Sequence, residues 1–134
     1  MMKGKIVNRA SFLNLLDLEV NRSRRYQNYF TLLKLKLSPL PGCEQGNGLK
    51  GYSENLSTLL VGELRESDIL GNLADNQFAI LIPYADSSAG GLCKSRILSN
   101  LKNYDFVKKG YAVLIDLICF PVDGTDTAAL VGKL

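Results

Sequence analysis

The side chains able to do chemistry in this sequence are carboxylates, amides, arginines, lysines and thiols, because histidine is absent. Without histidine, a Ser-His-Asp or Cys-His nucleophile is excluded, as is any metal site that depends on imidazole. The three cysteines, Cys43, Cys93 and Cys119, are far apart and form no CxxC pair. This spacing argues against a zinc site and favours ordinary thiols in a reducing compartment.

Phosphate-binding and nucleic-acid motifs are also missing. The segment from Pro39 to Gly51 is rich in glycine and proline, which predicts a loop, but no Lys-Ser/Thr pair follows its glycines as a P-loop requires. Residues 1–36 carry eight Lys/Arg against two acids, a balance of +6, whereas residues 37–134 carry eight against eleven, a balance of −3. We interpret the basic excess, with Arg22, Arg24 and Arg25, as a solvated helix end, and we expect no nucleic-acid partner.

The length and composition predict a single globular domain over residues 1–134. Hydrophobic residues make up 46% of the 134 residues and charged residues 22%, which is ordinary for a folded domain. The N-terminus lacks the long apolar stretch of a signal peptide. The most apolar segment, 111–122, is too short to span a bilayer and contains Asp116. We therefore expect a cytoplasmic protein with no membrane insertion.

Hydrophobic periodicity predicts helices alternating with strands, and one hairpin. The predicted N-caps are Ser11, Ser53, Asp86 or Ser87, and Thr125 or Asp126, and the third helix is predicted to bury Leu92, Ile97, Leu98 and Leu101. The predicted elements are helix 11–29, strand 30–37, helix 53–65, strand 68–73, strand 77–83, helix 86–101, strand 110–120 and a short final helix. This order indicates an α/β or α+β fold with mostly antiparallel pairing.

The most informative stretch is Leu64 to Pro83, LRESDILGNLADNQFAILIP. It resembles the core of the GGDEF family of diguanylate cyclase domains. That pattern is Arg-x-x-Asp, five residues, Gly-Gly-Asp-Glu-Phe and an apolar strand ending in proline. Here Arg65 and Asp68 match the first motif, and ADNQF stands in the place of the signature without a gap. The runs RSRRYQNYFTLLKLKL and FPVDGTDTAAL are similar to the family's first helix and strand and to its Pro-x-Asp-Gly turn.

The resemblance implies a palm-like central sheet of about five strands with a hairpin, surrounded by helices. It also implies the chemistry of active members, in which two GTP-loaded domains form cyclic di-GMP and two carboxylates hold a divalent metal. Against that family the chain is short in the loop after the first strand and at its C-terminal end.

The same comparison places unsuitable residues at the catalytic positions. The metal-binding acid of the first strand falls on Lys36, whose charge repels Mg²⁺. The five signature positions are occupied by Ala74, Asp75, Asn76, Gln77 and Phe78. The acidic pair is therefore replaced by two amides, which are poorer ligands for a hard cation. Side chains replace both glycines, and Asp75 would repel phosphate. We predict no catalytic residue, no metal and no cofactor.

Arg65 and Asp68 remain as the family's inhibitory-site pair, which the resemblance implies binds cyclic di-GMP. A guanidinium donates to guanine acceptors or phosphate and stacks on bases, and a carboxylate accepts from guanine N–H groups. An alternative is that Arg65 only ends the helix and Asp68 only begins the strand, and that the two pair on the surface without a ligand.

The sequence therefore predicts an inactive, degenerate GGDEF-like signalling domain of a bacterial protein, a cyclic di-GMP receptor through Arg65 and Asp68. Two alternatives stay open. One is a module for binding a protein partner or for self-association without nucleotide, and the other is a residual GTP-binding domain or weak cyclase.

Overall fold

The computed structural model describes residues 5–41, 49–104, 106 and 110–134. Cys43 and most of the predicted 39–51 loop lie outside the described residues. The helices and strands are β1 (Lys5–Asn8), α1 (Arg9–Tyr26), β2 (Phe30–Pro39), α2 (Leu49–Glu63), β3 (Ile69–Ala74), β4 (Gln77–Pro83), α3 (Ser87–Leu101), β5 (Tyr111–Phe120) and α4 (Thr127–Val131). One turn of 3₁₀ helix, Lys102–Tyr104, follows α3. No helix of these described segments is both long and apolar enough to cross a bilayer.

The strands form one mixed sheet of five strands in the order β1-β3-β4-β2-β5. β1 is parallel to β3, and the remaining pairs are antiparallel. The hairpin between β3 and β4 turns at residues 75 and 76, as the sequence predicts. The expectation of an α+β fold with about five strands and mostly antiparallel pairing is confirmed.

Alternation along β2 explains why helices cover both faces of the sheet. Leu33, Leu35 and Leu37 are buried in a core that includes side chains of α2 and α3. Phe30 and Leu32 are buried in a second core with side chains of α1 and α4. Because successive side chains of a strand point to opposite faces, one apolar strand supplies both cores.

Strand β1 is missing from the sequence prediction. It has only four residues, KIVN, and it pairs with β3 alone. Ile6 is exposed, so no alternation of buried and polar positions marks the segment as a strand.

Two of the predicted N-caps are wrong, because both helices begin earlier than their apolar periodicity indicates. The side chain of Asn8, not Ser11, accepts the hydrogen bond that caps α1. Helix α2 begins at Leu49, so Ser53 lies inside it. Asp86 and Asp126 cap α3 and α4 as predicted.

Helix α3 lies against the sheet through a glycine rather than through Leu92, which is 74% exposed and was wrongly predicted to face inward. A Cβ added at Gly90 would lie 2.7 Å from Cγ2 of Thr31, whereas one at Gly91 would meet nothing within 4 Å. Thr31 cannot easily give way, because its hydroxyl donates to the carbonyl of Ala85 at 2.9 Å.

The two adjacent glycines therefore make a matched pair of variants. Gly90→Ala should lower the free energy of unfolding by about 1–3 kcal/mol, because the methyl group overpacks the interface between helix and sheet. Gly91→Ala should raise it by up to about 1 kcal/mol, because alanine favours the helix and the site is open. Chemical denaturation of both variants measures the difference, and equal changes in the two would contradict this packing.

Candidate functional site

The turn at residues 75 and 76, where the sequence analysis places the resemblance to the signature, is tied to strand β2 and helix α2. The side-chain amide of Asn76 donates to the carbonyl of Leu37 at 2.9 Å, and the Leu37 N–H donates to the Asn76 carbonyl at 2.9 Å. The hydroxyl of Ser53 donates to the Asp75 carbonyl. The side-chain amide of Asn76 thus makes a hydrogen bond that holds the turn on β2. A carboxylate at position 76 could not make this bond, because a carboxylate has no N–H to donate.

The sequence-predicted positions at this end of the sheet do come together. Lys36 on β2 is in register with Gln77 on β4 and with Leu114 on β5. Lys36 is exposed, Gln77 is half-buried, and Phe78 points into the core with α2 and α3. Ala74 ends β3, and the Asp75 side chain is exposed at the turn. The Lys36 ammonium group and the neutral Gln77 amide are therefore neighbours, at the two positions where the resemblance implies metal-binding acids.

No group of three His, Cys, Asp or Glu side chains suited to a metal ion occurs within the described ranges. Lys36 and Gln77 carry no negative charge, so this pair provides none of the anionic ligands that Mg²⁺ prefers.

The second predicted site is the turn between α2 and β3. The Arg65 N–H donates to Oδ2 of Asp68 at 2.9 Å, and the Asp68 N–H donates to the Arg65 carbonyl at 3.0 Å. Asp68 is 4% exposed and the Arg65 side chain is exposed. No fully buried side-chain oxygen or nitrogen of the described residues lacks a partner, so the other Asp68 oxygen, Oδ1, reaches solvent. Asp68 therefore closes the turn, while Arg65 points outward.

Arg96 on α3 lies close enough for its charge to act on Asp68, and the sequence analysis missed it. Its guanidinium donates to the Glu63 carboxylate at 3.2 Å and to the Glu63 carbonyl, at the end of α2, at 3.0 Å. Its side chain is nevertheless 45% exposed. Arg96 is 33 residues from Glu63, so no local pattern reveals the contact. We call Arg65, Asp68 and Arg96 the guanidinium cluster.

Burial governs the titration of the acid in this cluster. Removal from water raises the pKa of the Asp68 carboxyl above its ordinary value of 3.8, although the Arg65 N–H bond and the charges of Arg65 and Arg96 act in the opposite direction. Burial likewise raises the pKa of the nearby Cys93 thiol. A thiol with a raised pKa is protonated at neutral pH, so Cys93 is no activated nucleophile.

Three of the basic residues noted in the sequence do not join the cluster. Arg22, Arg24 and Arg25 lie on α1, which packs on the opposite face of the sheet from α2 and α3. They therefore cannot add to the ligand site at the α2–β3 turn.

The sequence matches no family model and no curated protein. The fold, in contrast, matches solved GGDEF domains. It superposes on a DGC protein from Thermotoga maritima with a TM-score of 0.81 and 18% identity, covering 96% of this chain and 92% of that one. The FimX GGDEF domain from Pseudomonas aeruginosa matches with a TM-score of 0.78 and 20% identity, covering 96% of this chain and 83% of that one. The GGDEF domain of DgcB from Caulobacter crescentus, solved in complex with c-di-GMP, matches with a TM-score of 0.80 and 11% identity, covering 96% of this chain and 78% of that one. The chain therefore has the fold of GGDEF domains.

The raised pKa of Asp68 predicts a particular dependence of stability on pH. The folded state binds this proton more tightly than the unfolded chain, so stability falls as pH rises from about 3.9 through the raised pKa. Asp68→Asn keeps a carbonyl acceptor for the Arg65 N–H but has no carboxyl group to titrate, so the stability of this variant lacks the decrease with rising pH. Its melting temperature relative to wild type should therefore rise between pH 4 and pH 7.

Glu66→Gln is the matched control, because Glu66 is exposed in the same turn. It removes one charge near the cluster without changing a buried group, and we expect a flat difference from wild type over the same pH range. A flat difference for Asp68→Asn would contradict the burial argument.

Proposed function

We propose that this chain is a catalytically inactive GGDEF-like signalling domain of a cytoplasmic bacterial protein and a receptor for cyclic di-GMP. The observation that carries the proposal is the guanidinium cluster, in which the exposed Arg65 and the partly exposed Arg96, itself paired with Glu63, lie near the buried Asp68 carboxylate. The fold of the domain and a neighbour solved in complex with c-di-GMP support the same ligand.

The chemistry of the cluster suits this ligand. Cyclic di-GMP presents guanine O6 and N7 acceptors, two anionic phosphates and flat rings, and a guanidinium can donate to the first two and stack on the third. Arg65 has no hydrogen-bond partner for its side chain among the described residues, so its full donor set is available. Oδ1 of Asp68 can accept from guanine N–H groups, while Oδ2 keeps the turn closed.

The absence of cyclase activity rests on the other end of the sheet. A cyclase needs anionic ligands for the metal that neutralises the triphosphate. The register instead places the Lys36 ammonium beside Gln77, and Asn76 uses its amide to bind β2. We expect neither Mg²⁺ nor a productive GTP complex at this turn.

Calorimetry with cyclic di-GMP tests the receptor function. We expect saturable binding to the wild-type domain, and an affinity at least roughly tenfold lower for Arg65→Ala, since a hydrogen bond to a charged group is worth about 1.5–3 kcal/mol. Lys94→Ala is the control, because it removes a cation from α3 without touching the cluster. Absence of heat at high micromolar ligand would contradict the proposal and leave the two alternatives, an interaction module and a residual GTP-binding domain or weak cyclase.

Arg96→Ala needs a second measurement, because Arg96 also binds the end of α2. Its affinity for cyclic di-GMP should fall as for Arg65→Ala, and its melting temperature should fall as well. A stability loss with unchanged affinity would assign Arg96 to the fold alone.

An activity assay tests the other half of the proposal. We expect no cyclic di-GMP from GTP and Mg²⁺ by product chromatography, and none from the double variant Asn76→Asp, Gln77→Glu, because Lys36 still occupies the metal position. Product from the wild-type protein would show that this domain is a cyclase, and product from the double variant alone would contradict the argument from Lys36.

A further inference from the structure

A cavity of about 560 Å³ lies between the end of α1 and the chain that follows β5. This volume is within the range of small-molecule sites. The residues of its lining that matter here are Arg24, Gln27, Asn28, Tyr29, Pro121 and Thr125, and we call this space the α1–β5 cavity.

The polar side chains of the α1–β5 cavity are not used by the fold. Within the described segments, the side chains of Arg24, Gln27, Asn28 and Thr125 have no hydrogen bond or ion pair. Two carboxamides, each with donors and an acceptor, and one hydroxyl thus face a cavity with their hydrogen-bonding capacity free.

One wall of the cavity is apolar and firmly held. Phe120 is buried and stacks on Phe30 with ring centroids 5.0 Å apart and planes 4° from parallel. Pro121 follows it, and Tyr29, 45% exposed, offers a ring. The exposed Tyr29 ring, with the apolar Pro121 beside the cavity, suits a planar ring of a ligand.

Charged side chains of both signs line the cavity, the cation Arg24 and the anion Asp126. Arg22 on the same helix is paired with Glu19, and the acid in the lining, Asp126, accepts from the Ala129 N–H at 2.8 Å as the cap of α4. Arg25 lies over the Tyr26 ring at 5.6 Å. The Arg24 guanidinium is therefore the cation left to meet an anionic group.

We propose that the α1–β5 cavity binds a mononucleotide. This ligand combines the three features that the lining would recognise: a flat heteroaromatic ring for Tyr29 and Pro121, a ring edge of donors and acceptors for the Gln27 and Asn28 amides, and a phosphate for Arg24. The Thr125 hydroxyl adds a partner for ribose or phosphate.

This site is separate from the guanidinium cluster and from the 75–76 turn. The cavity lies on the face covered by α1 and α4, whereas the cluster lies on the face covered by α2 and α3. Tyr29 precedes the first residue of β2, and the 75–76 turn bonds to Leu37 near the other end of that strand. The proposal therefore does not depend on the receptor function.

Titration of ¹⁵N-labelled protein with GMP and AMP, observed by NMR, tests the proposal. At least one of them should shift amides of 24–29 and 120–126 in a saturable manner, and guanosine or inorganic phosphate alone should bind more weakly. Arg24→Ala should weaken binding roughly tenfold to a hundredfold, as expected for a lost hydrogen bond to a charged group. Arg25→Ala is the matched control and should bind as wild type, with the melting temperatures of both variants checking the fold.

Three results would overturn the proposal. The first is no shift at millimolar GMP or AMP. The second is phosphate alone binding as tightly as either nucleotide, which would reduce the site to an anion site. The third is a response confined to residues near Arg65 and Arg96 and insensitive to Arg24→Ala, which would assign the nucleotide to the guanidinium cluster.

Discussion

Strand β2 pairs along both of its edges, and this pairing determines where the neighbouring strands and the helices packed on the two faces can lie. Its register with β4 runs from Phe30 opposite Pro83 to Lys36 opposite Gln77, and its register with β5 covers all ten residues. Because a slip of one residue would move every leucine to the other face, the two cores hold this register in place. The same register sets Lys36 beside Gln77, so one strand fixes both the packing of the cores and the pair of side chains at this end of the sheet.

The two helical layers then separate two kinds of surface. Helices α2 and α3 meet at Glu63 and Arg96, and the link between them keeps a second arginine close to the α2–β3 turn. Helix α1 ends on the other face, where Gln27 adopts a left-handed conformation at φ 58° and its N–H donates to the Ser23 carbonyl. That end leaves Asn28 and Tyr29 to line a cavity rather than extend the helix. The guanidinium cluster and the α1–β5 cavity therefore lie on different faces of one sheet.

The sequence predicts the strands with strong alternation and misses the features that depend on contacts between distant segments. The alternating leucines and lysines of β2 and the apolar run of β4 were sufficient to place both strands. In contrast, β1 has too few residues for a period, and Asn8 caps α1 before any apolar residue indicates the helix. The role of Arg96 arises only when α3 packs beside α2, and the bond from the Asn76 amide to Leu37 arises only when the hairpin meets β2. The spacing of Arg65 and Asp68 could be seen in the sequence, but the burial of Asp68 could not.

Helix α2 is bonded near its start to the 75–76 turn and at its end to the guanidinium cluster. Near its start, the Ser53 hydroxyl bonds to the 75–76 turn, and at its end the Glu63 carbonyl and carboxylate bond to Arg96. The helix between Ser53 and Glu63 spans roughly 15 Å. The hydrogen bonds near its start and at its end place both regions on a single rigid element. One helix thus joins the guanidinium cluster to the 75–76 turn, although the two lie at different ends of the helix.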